Sequence, residues 1–169
     1  MPYMAINLGG VALGVGIDLM FILRWWFREK RRVGAVVPYL LAKLYGMLAA
    51  LAALGTWSAL GAVTWLGLWA GNVAGYAGLV YGVGGQAPDV TRAHQLVLTS
   101  GGYVIVFLLT LVMVALLKWG PKQALWKLVF GALAGILVAL SGNVAGVAAV
   151  PLGSGANFAG SGFTGMFGG

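Results

Sequence analysis

The sequence predicts an all-α polytopic membrane protein, with four transmembrane helices favoured, five possible, and an interfacial or half-inserted helix. Three observations carry this. The 169 residues are 61% hydrophobic and 8% charged, with a mean hydropathy of +0.96, whereas a soluble domain carries about 25% charged residues. The uncharged stretches are long enough to cross a hydrocarbon core of about 30 Å. Finally, the ten Lys and Arg residues are not scattered: Arg24, Arg28, Lys30, Arg31, Arg32 and Lys43 form one group, Lys118, Lys122 and Lys127 another, and Arg92 stands apart.

The first span is placed at residues 6–27, apolar from Leu8 to Leu23 except for Asp18 and followed at once by basic residues. The N-terminus has no basic segment ahead of the span, so it reads as a retained span rather than a cleaved signal. Residues 33–85 contain one charge, Lys43. As one helix they would extend roughly 80 Å, so the chain must bend. Pro38 and Lys43 make 33–54 an interfacial or half-inserted helix, and Gly55-Thr56-Trp57-Ser58 a break. A second span follows at 57–81. The segment 82–99, with Gly84-Gly85, Pro88-Asp89, Arg92 and His94, reads as a loop. Further spans occupy 96–117 and 128–152, separated by a short basic loop with Pro121. One bundle of residues 1–152 is then followed by a glycine-rich C-terminal tail, 153–169, which carries Phe158, Phe163 and Phe167.

The positive-inside rule places both basic groups in the cytoplasm and both termini outside, in a multi-pass protein of the cell membrane. Trp25, Trp26, Trp119 and Trp126 lie beside the basic groups, as an aromatic belt at one interface would. In the five-span alternative 33–54 crosses, Lys43 lies mid-membrane, and the lysines of 118–127 fall outside. A lysine at the centre of a span costs about 2.5–3.5 kcal/mol on insertion scales, which favours four spans.

An internal echo is present: Gly71-Asn72-Val73-Ala74-Gly75 recurs 71 residues later as Gly142-Asn143-Val144-Ala145-Gly146. Glycines four residues apart let membrane helices approach closely. Gly67, Gly71 and Gly75 form such a ridge, and Gly10–Gly14, Gly131–Gly135 and Gly142–Gly146 repeat the device. Asn72 and Asn143 add carboxamides able to bond across helices. Packing inside one bundle and packing between subunits both use this pattern.

Asp18 is the sharpest single residue, because acidic groups inside spans are costly and face a partner or a water-filled cavity. Two readings stand: a carboxylate that handles protons or cations, and a structural pair with a basic side chain such as Lys43. No catalytic constellation, metal site or cofactor motif is found. His94 is the single histidine and there are no cysteines, which excludes disulfides and thiolate metal sites. The +7 net charge points to anionic lipid at the basic face formed by Arg24, Arg28, Lys30, Arg31, Arg32, Lys118, Lys122 and Lys127, with nucleic acid as a further partner there.

In Arg28–Arg32, the Gly-Asn-Val-Ala-Gly spans and the glycine-rich tail, the chain resembles the hydrophobic spread membrane proteins encoded with plasmid-transfer genes in mycelial actinomycetes. The resemblance is one of composition and topology, and carries over no functional residue. It implies a non-enzymatic, oligomeric pore or scaffold component of a translocation or DNA-transfer apparatus. A small proton- or cation-coupled transporter using Asp18 and a phage or viral membrane protein, holin-like or of the virion, are the alternatives.

Overall fold

The computed structural model describes residues 6–53, 58–90, 98–139 and 141–167; the side chains of residues 123, 142–150 and 167 lie outside that description. Six α-helices are present among the described residues: α1 (Leu8–Phe27), α2 (Val33–Ala53), α3 (Ala59–Tyr76), α4 (Ser100–Trp119), α5 (Lys122–Ala139) and α6 (Gly142–Phe167). A π-helical segment, Ala77–Gly82, prolongs α3. Two short strands, β1 (Ile6–Asn7) and β2 (Asp89–Val90), pair antiparallel with Asn7 opposite Asp89. Of the described residues, 85% are helical.

Three helices, α1, α2 and α4, are long and apolar enough to cross a membrane, and α5 contains a shorter apolar run, Ala124–Ala139. Of α4 only 22% is buried. Phe107, Leu111, Val112 and Val114 point outward from it, an apolar exterior that water does not tolerate on this scale but lipid does.

Side-chain contacts fix the helix directions. Asp18 of α1 meets Lys43 of α2, and Phe21 meets Tyr39 and Phe130, so α1 runs antiparallel to both α2 and α5. Lys127 donates to the Ala35 carbonyl, and glycines 131 and 135 face the backbones of Tyr39 and Lys43, so α2 and α5 are parallel. Tyr45 bonds Thr110, and Ala42 packs with Met113, which sets α4 antiparallel to α2. The C-termini of α1 and α4 therefore share one end of the bundle with the N-termini of α2 and α5. Both basic groups are at that end except for Lys43, which lies halfway along α2.

Two placements differ from the sequence reading, and one further helix bears on its two topologies. That helix, α2, is long and apolar enough to cross a membrane, is half buried, and packs between α5, α3 and α4. The charge that argued against this position is neutralised, because Asp18 meets Lys43 halfway along both helices. The span expected at 128–152 is broken, with α5 ending at Ala139 and α6 beginning at Gly142. The expected tail 153–169 is helical as far as Phe167. Of its glycines, Gly160 presses against the backbone of Gly101, while Gly155, Gly162 and Gly165 meet open space. The break expected at residues 55–57 lies outside the described residues, as do Arg92 and His94.

The second three helices repeat the first three. Asn7 caps α1 by accepting from the Gly10 amide, and Thr99 caps α4 by accepting from the Gly102 amide. The Asn7 amide donates to Asn72 Oδ1 of α3, and the Thr99 amide donates to Asn157 Oδ1 of α6. A Cβ on Gly9 would lie 2.5 Å from the Gly75 carbonyl carbon, and one on Gly101 would lie 2.5 Å from that of Gly160. Between the halves, Gly46 of α2 packs on Ala132 of α5, and Gly135 of α5 packs on Lys43 of α2. Gly135 follows Gly46 by 89 residues, as Ala132 follows Lys43. The contact is thus reciprocal, and the halves are related by an approximate two-fold axis running along α2 and α5, the arrangement of parallel repeats in membrane proteins.

That repeat is not the echo read from the sequence. Gly71–Gly75 lies near the C-terminal end of α3, whereas Gly142–Gly146 opens α6, so the two copies do not correspond. The counterpart of Asn72-Val73-Ala74-Gly75 is Asn157-Phe158-Ala159-Gly160, 85 residues on.

Candidate functional site

Three polar side chains, Asp18, Tyr39 and Lys43, meet halfway along α1 and α2. Lys43 Nζ lies 2.6 Å from Asp18 Oδ2, and Tyr39 donates its hydroxyl to Asp18 Oδ1 at 2.6 Å. The Asp18 and Lys43 side chains retain 15% and 22% of their exposure. Phe21 stacks on Tyr39 with ring centroids 4.4 Å apart, closing one side of the group. Both carboxylate oxygens thus have short, charge-assisted or phenolic partners, which is how an ionised carboxylate is held in a low-dielectric setting. The sequence pairs Asp18 with Lys43 as one of its two readings. Tyr39 was missed; its placement four residues before Lys43, one helical turn away, was the available signal.

The repeat shows that the fold does not require this group. The positions of the second half that match Asp18, Tyr39 and Lys43 are Thr110, Leu128 and Ala132. Those smaller, uncharged side chains instead line a cavity of about 480 Å³, together with Tyr45, Thr64 and Met113.

The basic end forms a second polar region. Arg28, Lys30, Arg31 and Arg32 are exposed in the α1–α2 connection, where Lys30 and Arg31 adopt φ of 50° and 57°. The Arg31 guanidinium lies 3.5 Å from the centre of the Trp26 ring, and Trp25 Nε1 donates to the Arg32 carbonyl. Glu29, which sequence reading passed over, joins the two basic groups: its carboxylate lies 2.7 Å from Lys127 Nζ and 3.5 Å from Arg24 Nε. Lys118 reaches toward the Trp119 ring, and Lys122 is exposed at the start of α5. The eight cations predicted for a basic face thus share one end. Lys127 is turned inward, and Arg24 is partnered.

The predicted packing glycines divide. Gly10 faces Asn72, Gly75 faces Gly9, Gly14 and Gly71 face α5, and Gly131 and Gly135 face α2. Gly67 has only ordinary van der Waals neighbours, the nearest being Ile136 at 3.6 Å. Gly67, Gly71 and Gly75 therefore do not act as one seam, since Gly71 serves α5 and Gly75 serves α1. The side chains at 142–146, including Asn143, lie outside the described residues. Asn157 was missed because its surroundings read as a tail. Among the described residues no group of three His, Cys, Asp or Glu side chains converges.

The fold and these sites define a helical protein, built of two like halves, with three helices able to cross a membrane. No family model, curated protein or solved structure matches the chain.

Proposed function

We propose that the protein is a non-enzymatic, multi-pass membrane scaffold that presents its cationic end to an anionic partner within a translocation or DNA-transfer apparatus, and that it works there as an oligomer. The observation that carries this is the convergence of both basic groups on one end of the bundle, with Arg28, Lys30, Arg31, Arg32 and Lys122 exposed. By the positive-inside rule that end is cytoplasmic, which puts β1 and Phe167 toward the other side. The glycine ridges no longer argue for oligomers, because most of them are occupied within the chain; the support left is the broad apolar exterior. The test is titration of duplex DNA onto the full chain in nanodiscs of neutral lipid. Binding should weaken steeply with salt and be lost when Arg28, Lys30, Arg31 and Arg32 are all replaced by Gln. Absence of binding at low salt removes DNA as the partner. Crosslinking in native membranes tests the oligomer, and a strict monomer refutes it.

A second reading rests on the Asp18–Lys43–Tyr39 group, which the other half of the molecule folds without. Such an intramembrane group suits a proton- or cation-coupled carrier. Asp18→Asn should then abolish uptake into proteoliposomes while the protein still folds; unchanged uptake excludes it.

A further inference from the structure

At the end of the bundle opposite the basic face, Trp69, Tyr76 and Tyr81 surround a hollow of about 360 Å³, floored by Asn7 and Asn72. Trp69 and Tyr76 lie two turns apart on α3, and Tyr81 is brought round by the π-helical segment. The Tyr76 and Tyr81 rings meet edge to face, with centroids 6.1 Å apart and planes at 75°. All three aromatics are largely exposed, at 51%, 42% and 82%, so their rings are not used to fill the core.

The repeat again supplies the comparison. The matching positions of α6 are Ser154, Ser161 and Met166, and that helix stays α-helical to Phe167. The same inter-helix contact, asparagine and glycine included, is therefore made without rings at these three positions and without a π-helix, although Phe158 stands where α3 has Val73. An interfacial aromatic belt would explain one such ring; it does not explain a hollow between three. π-Helical segments recur at functional sites, and here the segment serves to bring Tyr81 toward Tyr76.

The charge of the ligand follows from the surroundings. Asp89 stands opposite Asn7 in the β1–β2 ladder, on the same face of the pleat, and is exposed. The C-terminal end of the α3 and π-helical run carries the negative end of the helix dipole. The first amides of α1, which would oppose a cation, are bonded to the Pro88 carbonyl and the Asn7 side chain. The aromatic faces that line the hollow favour a cation, with the Asp89 carboxylate outside the lining but one strand from Asn7, and among the described residues no group of three carboxylate, His or Cys side chains is there to hold a bare metal ion. Aromatic cages take quaternary ammonium groups.

We infer that this hollow binds a quaternary ammonium group, borne either by a choline lipid headgroup or by a small solute. The probe is tetramethylammonium, added to the full chain in nanodiscs and followed by the indole N–H resonance of Trp69, assigned with Trp69→Phe. In phosphatidylglycerol nanodiscs the resonance should move saturably with tetramethylammonium and not with tert-butanol, a neutral molecule of similar bulk. Tyr81→Leu, at a site where the other half carries Met166, should weaken binding about three-fold or more. In phosphatidylcholine nanodiscs a lipid occupant leaves Trp69 already shifted and unresponsive, whereas a solute site titrates as before. The proposal is overturned if Trp69 has the same resonance in both membranes and ignores tetramethylammonium, or if tert-butanol moves it equally.

Discussion

Replacing Lys43 by Met removes the ammonium that lies 2.6 Å from Asp18 and leaves that carboxylate with the Tyr39 hydroxyl alone. The Asp18 side chain is only 15% exposed, so water recovers little of the lost interaction. Breaking a buried pair in this way costs about 3–5 kcal/mol. Asp18→Asn should cost a similar amount, since it strands the lysine. The double variant, Asp18→Asn with Lys43→Met, has no charge left to solvate and should fall within about 1 kcal/mol of the parent, because replacing a buried pair by uncharged groups is often neutral. The two single costs would then exceed the double cost by several kcal/mol. Reversible unfolding in bicelles measures all four corners of this cycle. Additivity within about 0.5 kcal/mol would show that the pair does not couple, and Asp18 would then not be what lets α2 tolerate a central lysine.

The glycine contacts give a contrasting pair. Gly101→Val should separate α4 from α6 and cost about 2–3 kcal/mol or more by overpacking, because a Cβ there meets the Gly160 backbone. Gly155→Ala, where nothing lies within 4 Å, should be neutral or stabilise by up to about 1 kcal/mol through helix propensity; the same unfolding assay separates them. Asn157→Leu removes the acceptor of the Thr99 amide and hydroxyl and should cost about 1–2 kcal/mol, with faster hydrogen exchange confined to the start of α4. Lys30→Gly and Arg31→Gly relieve left-handed backbone at φ 50° and 57° and should each stabilise by up to about 1 kcal/mol. Destabilisation by either would mean that the cation itself holds the turn.

The helix-rich membrane class, the shared basic end and the candidate partner of Asp18 were legible because each rests on composition, charge order or spacing. The packing of α2 was not. A sliding hydropathy argument charges Lys43 its full cost of insertion, and only the tertiary pairing shows that the cost is met by Asp18. The order of the tail was not legible for a related reason: its phenylalanines stand among glycines and serines with no periodic apolar face, and what makes residues 153–167 part of a packed helix is the contact of Gly160 with Gly101. The repeat was half visible. Asn-x-Ala-Gly occurs three times, at 72–75, 143–146 and 157–160, and the copy most similar in sequence is not the one that packs alike. Glu29 escaped notice because, among five basic neighbours, its charge looks like dilution. In space it is the acid that joins the α1–α2 connection to α5.

The reciprocal contact of Gly46 with α5 and Gly135 with α2 has a bearing on assembly. In a symmetric dimer, the surface patch that closes the pair is the same on both members and is fully occupied once they meet. This chain is already such a pair, made from two copies of one three-helix unit joined end to end. The patch that would drive two separate units together is sealed inside each molecule. What remains outward includes the faces of α3 and α6, and there the two halves differ, one bearing Trp69 and Tyr81 where the other bears Ser154 and Met166. Either face meeting its own copy would still close a two-fold pair, whereas one face meeting the other would join molecules head to tail.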